Sequence, residues 1–323
     1  MHVIVCGAGV IGAAIAYYLS ARGVTVSVVE RTGVACAASG KSGGFLARDW
    51  CDGTPQESLA RLSFDLHDDL PRSLGADYGY RRVETFQVAA GDGGDVDRYR
   101  RFPSPGWLDG NCAVYARIGT PENTAQIHPE LFTRTLMDCA QRQGAVLRTG
   151  CVNGLEMRQD RVTGVRVDDE VLTADAAVIA MGPWSILAAA WLPLPAVGGL
   201  KSHSITIRPS APVPAHALFV EFVSGAAGES PEVVPRADGE VYLCGISDDL
   251  PLPSDPLEVV VNESSCERLH DLAGRLSRIL GRGKVTRTQA CYRPICADAM
   301  PVMGRVPGVD GAFVATGHNC WGM

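Results

Sequence analysis

Three glycines near the N-terminus and a glutamate about 20 residues further on have the types and spacing of a dinucleotide-binding site. Gly7, Gly9 and Gly12 follow the apolar run VIVC, and Glu30 closes the next such run, TVSVVE. Gly7 permits a tight turn, Gly9 lets the backbone approach a pyrophosphate, and Gly12 lets the intervening helix pack on the strands. A carboxylate at Glu30 can accept hydrogen bonds from ribose hydroxyls and would repel a 2′-phosphate, which disfavours NADP.

The helix that follows the glycines would supply the phosphate contacts. At its first residues, Val10 and Ile11, free N–H groups and the helix dipole favour negative charge. A glycine motif of this kind is weak evidence by itself, because ordinary glycine-rich turns also contain it. Here strand, glycines, helix, strand and acid follow in order, and the sequence therefore predicts a Rossmann-like unit that binds a dinucleotide.

The segment after Glu30, RTGVACAASGKSGGFLA, is rich in small residues and hydroxyls. Its backbone N–H groups could wrap closely around a ligand, or the segment could form a flexible surface loop. NAD and FAD share their ADP half, so the glycine motif does not decide between them. The candidate cofactor contacts in this segment are Arg31, Ser39, Ser42, Gly43 and Gly44.

The composition bounds the class of protein. A chain of 323 residues is longer than one typical core supports, which favours two connected domains. Its hydrophobic content of 46% and charged content of 20% are those of a globular protein. The net charge of −7 argues against a nucleic-acid or anionic-membrane surface, so we expect a small-molecule partner.

One uncharged run, residues 176–200, is long enough to cross a membrane. Gly182, Pro183, Pro193 and Pro195 break this run into a short strand, a turn, a short helix and an exit. We therefore expect a buried strand and its loop, with no membrane span.

The 11 cysteines are scattered, with no C-x-x-C pair and no Cys/His cluster at zinc spacing. We expect reduced thiols in a reducing compartment and no metal site. The chain begins directly with an apolar strand, so we expect no N-terminal targeting segment and a cytoplasmic location. A C-terminal organelle address is left open.

Further motifs extend through most of the chain: ASGKSGG, QIHPELF, VIAMGPWS, EVYLCG, CYRPICADAMPVMG and TGHNCWG. Together with the N-terminal glycines and Glu30, they resemble the flavin-dependent family of D-amino-acid oxidase, glycine oxidase, sarcosine oxidase and related amine dehydrogenases. The resemblance implies FAD as the cofactor. It also implies an oxidation in which a hydride leaves the carbon that bears the substrate amine.

The fold implied by this resemblance is of the α/β class, α+β overall. A discontinuous Rossmann-like FAD-binding domain is interleaved with a substrate domain built on an antiparallel sheet. We assign residues 1–48, 126–200 and 290–323 to the FAD-binding domain and residues 49–125 and 201–289 to the substrate domain.

Apolar periodicity predicts two helices that would frame these domains. One begins at Pro129 and is closed by Gly144. The other lies in the first substrate-domain segment and ends before Pro71. The apolar positions of this second helix are Leu59, Leu62, Leu66 and Leu70.

The resemblance also implies roles for single residues. In family members that oxidise amino acids, the arginine of a similar RP motif binds the substrate carboxylate, a role that the guanidinium of Arg293 would suit. Alternatively, Arg293 pairs with Asp298 or a surface acid. Cys291 lies at a position similar to that at which sarcosine oxidases attach their flavin covalently; a free buried cysteine is the alternative.

Two further candidates lie in the substrate domain. His203, together with Lys201, could reach the flavin or a substrate anion, or could pack at the domain boundary. Tyr242 could cover the substrate or pack within the sheet. The other flavin contacts that we expect are Val152, Gly182, Trp184, Gly317, His318 and Gly322.

The loop GHNCWG resembles the last flavin-contacting turn of the family, which a helix follows there. Here the sequence ends at Met323, so we expect a form truncated at its C-terminus. Two functions therefore stay open. One is an FAD-dependent oxidase or dehydrogenase of a small amino acid or secondary amine, and the other is a flavin-fold protein without turnover that acts as a binding or assembly factor.

Overall fold

A computed structural model describes residues 1–323, which form two large sheets and two small ones. Strands and helices are numbered in chain order. The first large sheet contains the N-terminal unit. Its neighbouring strands are parallel except for the last two in the chain, which pair with each other in antiparallel orientation. In spatial order its strands are β18 (Val302–Arg305), β19 (Ala312–Thr316), β12 (Ala176–Ile179), β1 (His2–Cys6), β2 (Thr25–Glu30) and β8 (Val146–Thr149).

Both faces of this parallel sheet are covered, which explains why its strands are continuous apolar runs. Helices α1 (Val10–Ser20) and α4 (Pro129–Arg142) pack on one face, against alternate residues such as Val3 and Val5. A three-stranded meander packs on the other face, against residues such as Ile4. The strands of the meander are β9 (Val152–Arg158), β10 (Arg161–Val167) and β11 (Glu170–Thr173).

The second large sheet has seven strands, and all neighbours are antiparallel except β14 and β5, which are parallel. The expected antiparallel sheet is therefore mixed at this one pair. In spatial order its strands are β17 (Lys284–Cys296), β13 (Val197–Arg208), β16 (Val241–Asp248), β15 (Glu232–Pro235), β14 (His216–Phe222), β5 (Glu84–Ala90) and β6 (Cys112–Gly119).

Helix α5 (Glu263–Leu276) buries one face of this seven-stranded sheet, and α6 (Arg278–Gly281) follows it. Residues Ile205 and Ile207 of β13 and Leu243 of β16 point into that core. Because side chains alternate along a strand, the residues between them face the opposite side. That opposite side faces the parallel sheet.

The alternation is interrupted once in β16. His203 pairs with Ile246 and Ser204 pairs with Cys244, so Gly245 has no partner on β13 and forms a β-bulge. The φ of Gly245 is 145°, in the region that favours glycine.

A small sheet connects the two large ones. Its strands are β3 (Phe45–Ala47), β7 (Thr124–Gln126) and β4 (Arg81–Arg82). The remaining helices are α2 (Ala38–Lys41), α3 (Glu57–Leu74) and three 3₁₀ segments at Asp97–Tyr99, Gly182–Ala190 and Pro256–Glu258.

The prediction of a helix from Pro129 is confirmed, and Gly144 follows the helix end with a φ of 99°. The prediction for α3 is wrong in two respects. The helix continues through Pro71 to Leu74 and is capped by Gly75, where φ is 62°. Of the predicted leucine face only Leu70 is buried, on the same side of the helix as Phe64, His67 and Leu74. The other three leucines, Leu59, Leu62 and Leu66, are exposed.

The uncharged run at residues 176–200 forms β12, the 3₁₀ segment Gly182–Ala190 and the start of β13. None of the helices has both the length and the apolar composition needed to span a bilayer. The proposed domain boundaries at 200/201 and 289/290 fall inside β13 and β17, and the domain assignment stays a prediction.

Candidate active site

A cleft with a volume of about 380 Å³ opens between the parallel sheet and the seven-stranded sheet. Nearly all the residues predicted to bind cofactor or substrate line it; Gly12 and Gly317 do not. The predicted residues that line the cleft are Gly7, Gly9, Val10, Ile11, Glu30, Arg31, Ser39, Ser42, Gly43, Gly44, Val152, Gly182, Trp184, His203, Tyr242, Cys291, Arg293, His318 and Gly322.

The glycine turn after β1 is sterically restricted. Gly7 has a φ of 106°, and a Cβ there would lie 2.5 Å from the carbonyl oxygen of Ala180. Gly12 lies behind the turn, where a Cβ would overlap the carbonyl oxygen of Gly7. Only glycine therefore lets α1 pack this closely on the turn.

The N-terminus of α1 is open toward the cleft. Gly9 is the N-cap residue and provides no side-chain cap, so the first N–H groups of the helix depend on other partners. One of them, Val10 N–H, donates to the hydroxyl oxygen of Ser39 at 2.9 Å. The remaining first-turn donors and the helix dipole form a site suited to an anion.

Glu30 is fixed at the end of β2 by backbone donors. Its Oε2 accepts from Ala8 N–H at 2.7 Å, and its Oε1 accepts from Thr32 N–H at 2.9 Å. Oε1 also accepts from Gly33 N–H at 3.3 Å and from the Cys36 thiol at 4.0 Å, so the remaining capacity for a ribose hydroxyl is on Oε2. The turn and the acid thus lie together, as the spacing predicted.

The segment at residues 39–44 lies against the seven-stranded sheet. A Cβ at Gly43 would approach the Tyr242 ring to 3.1 Å. Lys41 donates to the carbonyl oxygen of Ala290 at 3.1 Å, and Arg236 donates to the carbonyl oxygen of Ser42 at 3.2 Å. The segment is therefore packed between the two sheets, and the alternative of a flexible surface loop does not hold.

Arg293 extends from β17 into the cleft without a charged partner. It forms no ion pair within 4.0 Å, and its Nε is buried with no hydrogen-bond partner. Asp298, the alternative partner considered from the sequence, instead accepts a hydrogen bond from Met300 N–H at 3.0 Å. The guanidinium is thus available to an anionic ligand.

Cys291 and Tyr242 lie on the same face of the seven-stranded sheet as Arg293. Burial raises the pKa of the Cys291 thiol, although nearby Lys41 and Arg293 act in the opposite direction. Burial also raises the pKa of Tyr242, so its phenol stays protonated. Tyr242 packs under Gly43 and borders the cleft at the same time.

His203 borders the cleft, but its ring turns to the other side of the sheet. The ring is fully buried, and its Nε2 accepts from Asn262 N–H at 3.0 Å, at the start of α5. Burial lowers the pKa of His203, while Asp248 at 3.6 Å opposes that shift. This position argues against a contact with flavin or substrate.

Lys201 shares the orientation of His203 and lies 3.3 Å from the same carboxylate of Asp248. The orientation of His203 could have been predicted from the sequence. Side chains alternate along a strand, so His203 lies on the same face of β13 as Ile205 and Ile207, which point into the core.

The loop after β19 is held beside the cleft by hydrogen bonds. Thr316 donates to the carbonyl oxygen of Gly182 at 2.8 Å, and Asn319 N–H donates to the carbonyl oxygen of Pro294 at 2.8 Å. Burial lowers the pKa of His318 to about 4, and its Nδ1 has no partner. Gly317 has a φ of 78° and lies against Cys296 rather than the cleft.

Sequence reasoning missed several residues of the cleft: Lys41, Phe45, Trp50, Phe219, Glu232 and Cys244. Lys41 could have been noticed as the one cation in the ASGKSGG loop. The others lie on separate strands and loops, and only the sheet register brings them together. Phe45, Trp50 and Phe219 form an aromatic cluster with ring centroids 4.9 to 5.2 Å apart.

These residues fit FAD. The uncapped N-terminus of α1 would hold the pyrophosphate, Glu30 the ribose, and the segment at residues 39–44 the flavin half. Two of the buried polar atoms along the cleft that lack partners, Ser42 Oγ and His318 Nδ1, are groups that a bound cofactor would satisfy.

Comparison with known proteins gives matches over nearly the whole chain. The profile of the family described as "FAD dependent oxidoreductase" matches residues 2–323. A Schizosaccharomyces pombe protein named "Putative oxidoreductase C1F5.03c" is 28% identical, over 100% of this chain and 90% of that protein.

Two solved structures have the same fold. Glycine oxidase from Bacillus cereus ATCC 14579 is 22% identical, covers 98% of this chain and 91% of its own, and has a TM-score of 0.79. Iminodiacetate oxidase from Chelativorans sp. BNC1 is 20% identical, covers 99% of this chain and 90% of its own, and has a TM-score of 0.76. The resemblance drawn from the motifs and the expected fold class are thereby confirmed.

Proposed function

Because this chain belongs to the family of FAD-dependent oxidoreductases, we propose that it oxidises the C–N bond of a small amino acid or secondary amine. The expectations of an FAD cofactor and of an oxidase or dehydrogenase are confirmed by the family. Oxidation of an amino acid or amine is supported chiefly by the guanidinium of Arg293. This group lies in the cleft with no ion pair, and its buried Nε has no hydrogen-bond partner.

Bound FAD would supply the hydride acceptor for the substrate carbon. The residues of this chain would bind and orient the substrate and exclude water. Arg293 would hold the carboxylate by paired hydrogen bonds, which fixes the position of the neighbouring C–N bond. The aromatic cluster of Phe45, Trp50 and Phe219 would form an apolar wall that keeps water from the reacting carbon.

The names of the structural relatives agree with a small substrate that carries nitrogen and carboxylate, since one is a glycine oxidase and another an iminodiacetate oxidase. Their identity of 20–22% supports the fold alone, so the substrate class rests on the cleft of this chain.

The test is reduction of the bound flavin. The purified 323-residue protein is saturated with FAD and mixed anaerobically with a panel of small amino acids, N-alkyl amino acids and amines. We expect the absorbance near the yellow flavin band to disappear with at least one carboxylate-bearing amine and not with the amine that lacks the carboxylate. A protein that takes up FAD but is reduced by no amine would favour the alternative of a flavin-fold protein without turnover.

A further inference from the structure

Glu232 is a carboxylate that faces the cleft and has no cationic partner. It begins β15, where it pairs with Cys244 of β16 on one side and Phe219 of β14 on the other. All three residues line the cleft, on the same face of the seven-stranded sheet as Arg293. Glu232 therefore faces the region in which the substrate would bind.

The contacts of Glu232 within the protein are weak. The thiol of Cys244 donates to its Oε2 at 3.7 Å, and no lysine, arginine or histidine lies within 4.0 Å of its oxygens. By contrast, Glu229, three residues earlier, forms an ion pair with Arg268 at 2.8 Å. A desolvated carboxylate with one thiol donor is costly unless a cation or further donors reach it.

Arg293 is near enough for the charges to interact but does not pair with Glu232. Burial raises the pKa of Glu232, and the positive charge of Arg293 lowers it. The guanidinium and the carboxylate are more than 4.0 Å apart, since no ion pair joins them. One cation and one anion thus border the same cavity, each without a partner of its own.

An amino acid has the complementary pair of charges. Its carboxylate and its ammonium are separated by one carbon, so a single molecule can contact a guanidinium and a carboxylate that do not touch each other. We propose that Glu232 binds the ammonium group of a zwitterionic amino acid whose carboxylate is held by Arg293. This inference rests on the proposed function and makes Glu232 a residue that determines specificity for amino acids over plain carboxylic acids.

The test compares two ligands of nearly the same shape. 2-Aminoisobutyrate carries both charges but lacks the α-hydrogen that oxidation requires, and isobutyrate lacks the amine. Their dissociation constants are measured on the FAD-loaded protein from the change that each ligand produces in the flavin absorbance. Because neither compound can be turned over, the measurement does not depend on catalysis.

We expect Glu232→Gln to weaken 2-aminoisobutyrate at least tenfold and to leave isobutyrate unchanged or bound more tightly, because a repelling carboxylate has been removed. Arg293→Gln should weaken both ligands. The control is Glu221→Gln, the same substitution at an exposed position of the neighbouring strand β14, which should change neither constant.

Other outcomes would overturn the proposal. If Glu232→Gln weakens both ligands equally, Glu232 only positions Arg293; if it affects neither, the carboxylate does not contact the ligand. Binding of isobutyrate but not of 2-aminoisobutyrate to the unsubstituted protein would also contradict it. If the unsubstituted protein binds neither ligand and no amine reduces its flavin, the proposed function itself fails.

Discussion

A guanidinium and an ammonium have the same charge but different geometry. Replacing Arg293 by lysine therefore tests whether Arg293 binds the substrate carboxylate through paired hydrogen bonds or only attracts it by its charge. Lysine provides a point charge and cannot form the paired hydrogen bonds. Arg293→Lys should therefore lower kcat/KM for carboxylate-bearing substrates about 10- to 100-fold, which corresponds to a loss of ~1.4–2.8 kcal/mol.

Steady-state kinetics with one substrate and its decarboxylated amine would measure this effect. The matched control is Arg287→Lys on the same strand, because Arg287 pairs with Glu130 at 3.0 Å on the surface. Equal losses for both compounds, or an effect of the control variant as large as that at Arg293, would contradict the clamp.

Cys291 is the residue at which the resemblance to sarcosine oxidases would place a covalent bond to the flavin. The thiolate is the reactive form of cysteine, and burial raises the pKa of this thiol. We expect a free cysteine, so acid precipitation should release the flavin into the supernatant, and Cys291→Ser should bind as much flavin as the unsubstituted protein. A protein band that stays fluorescent in a denaturing gel would show the opposite.

At the scale of single elements, the packing of α1 on the glycine turn makes a quantitative prediction. Replacing a helical glycine by alanine normally stabilises a helix by about 1 kcal/mol. At Gly12 the added Cβ would overlap the carbonyl oxygen of Gly7, and neither backbone can yield easily. Steric overlap should dominate, so Gly12→Ala should lower the free energy of unfolding by about 2–3 kcal/mol.

Urea unfolding of the apoprotein measures this change without interference from cofactor binding. Gly106→Ala is the control, since a Cβ at Gly106 would meet no atom within 4 Å, and it should change the free energy by no more than ~0.5 kcal/mol. Unchanged stability of Gly12→Ala would mean that the turn can move away from the helix.

The N-terminal βαβ unit could be predicted from the sequence, whereas the orientation of helix α3 could not. The βαβ unit at the N-terminus was readable because sterics at Gly7 and Gly12 admit only glycine. The orientation of α3 could not be predicted, because two of its faces have apolar residues at helical spacing. One face has Leu59, Leu62 and Leu66, and the other, which is buried, includes Phe64 and Leu70. Periodicity identifies a helix but does not decide between two apolar faces.

The same contrast holds within the cleft. Residues in contiguous motifs, such as Glu30 and Arg293, were found from the sequence. Glu232 was not, because it lies on a short strand with no motif and is placed in the site by its pairing with Cys244 and Phe219. Register of this kind depends on long-range pairing and cannot be derived from local spacing.

At the scale of the whole molecule, the cleft lies between two sheets with separate cores. FAD that fills the cleft contacts both sheets only in the folded state, so it should stabilise the protein by mass action. At a free concentration about 100 times the dissociation constant, the gain is about 2.7 kcal/mol. We expect the melting temperature to rise by about 5 °C.

Thermal unfolding of the apoprotein, with and without added FAD, would test this. AMP is a useful comparison, because it would contact only the glycine turn and Glu30 and should produce a smaller rise. Equal effects of FAD and AMP would indicate that the flavin half makes no stabilising contact with the second sheet.

The bulge at Gly245 fixes which charges the cleft contains. If β16 kept all its residues but ran as a regular strand, its last three positions would exchange faces, and Asp248 would leave Lys201 to enter the cofactor space. A second carboxylate would then line the cleft, and Lys201 would be a buried cation without a counter-charge. Deletion of Gly245 itself would keep Asp248 opposite Lys201, because the bulge residue has no partner on β13. Loss of a paired residue of β16 such as Ser247 should therefore be tolerated far less well than loss of Gly245, because only the paired residues decide which side chains face the cleft.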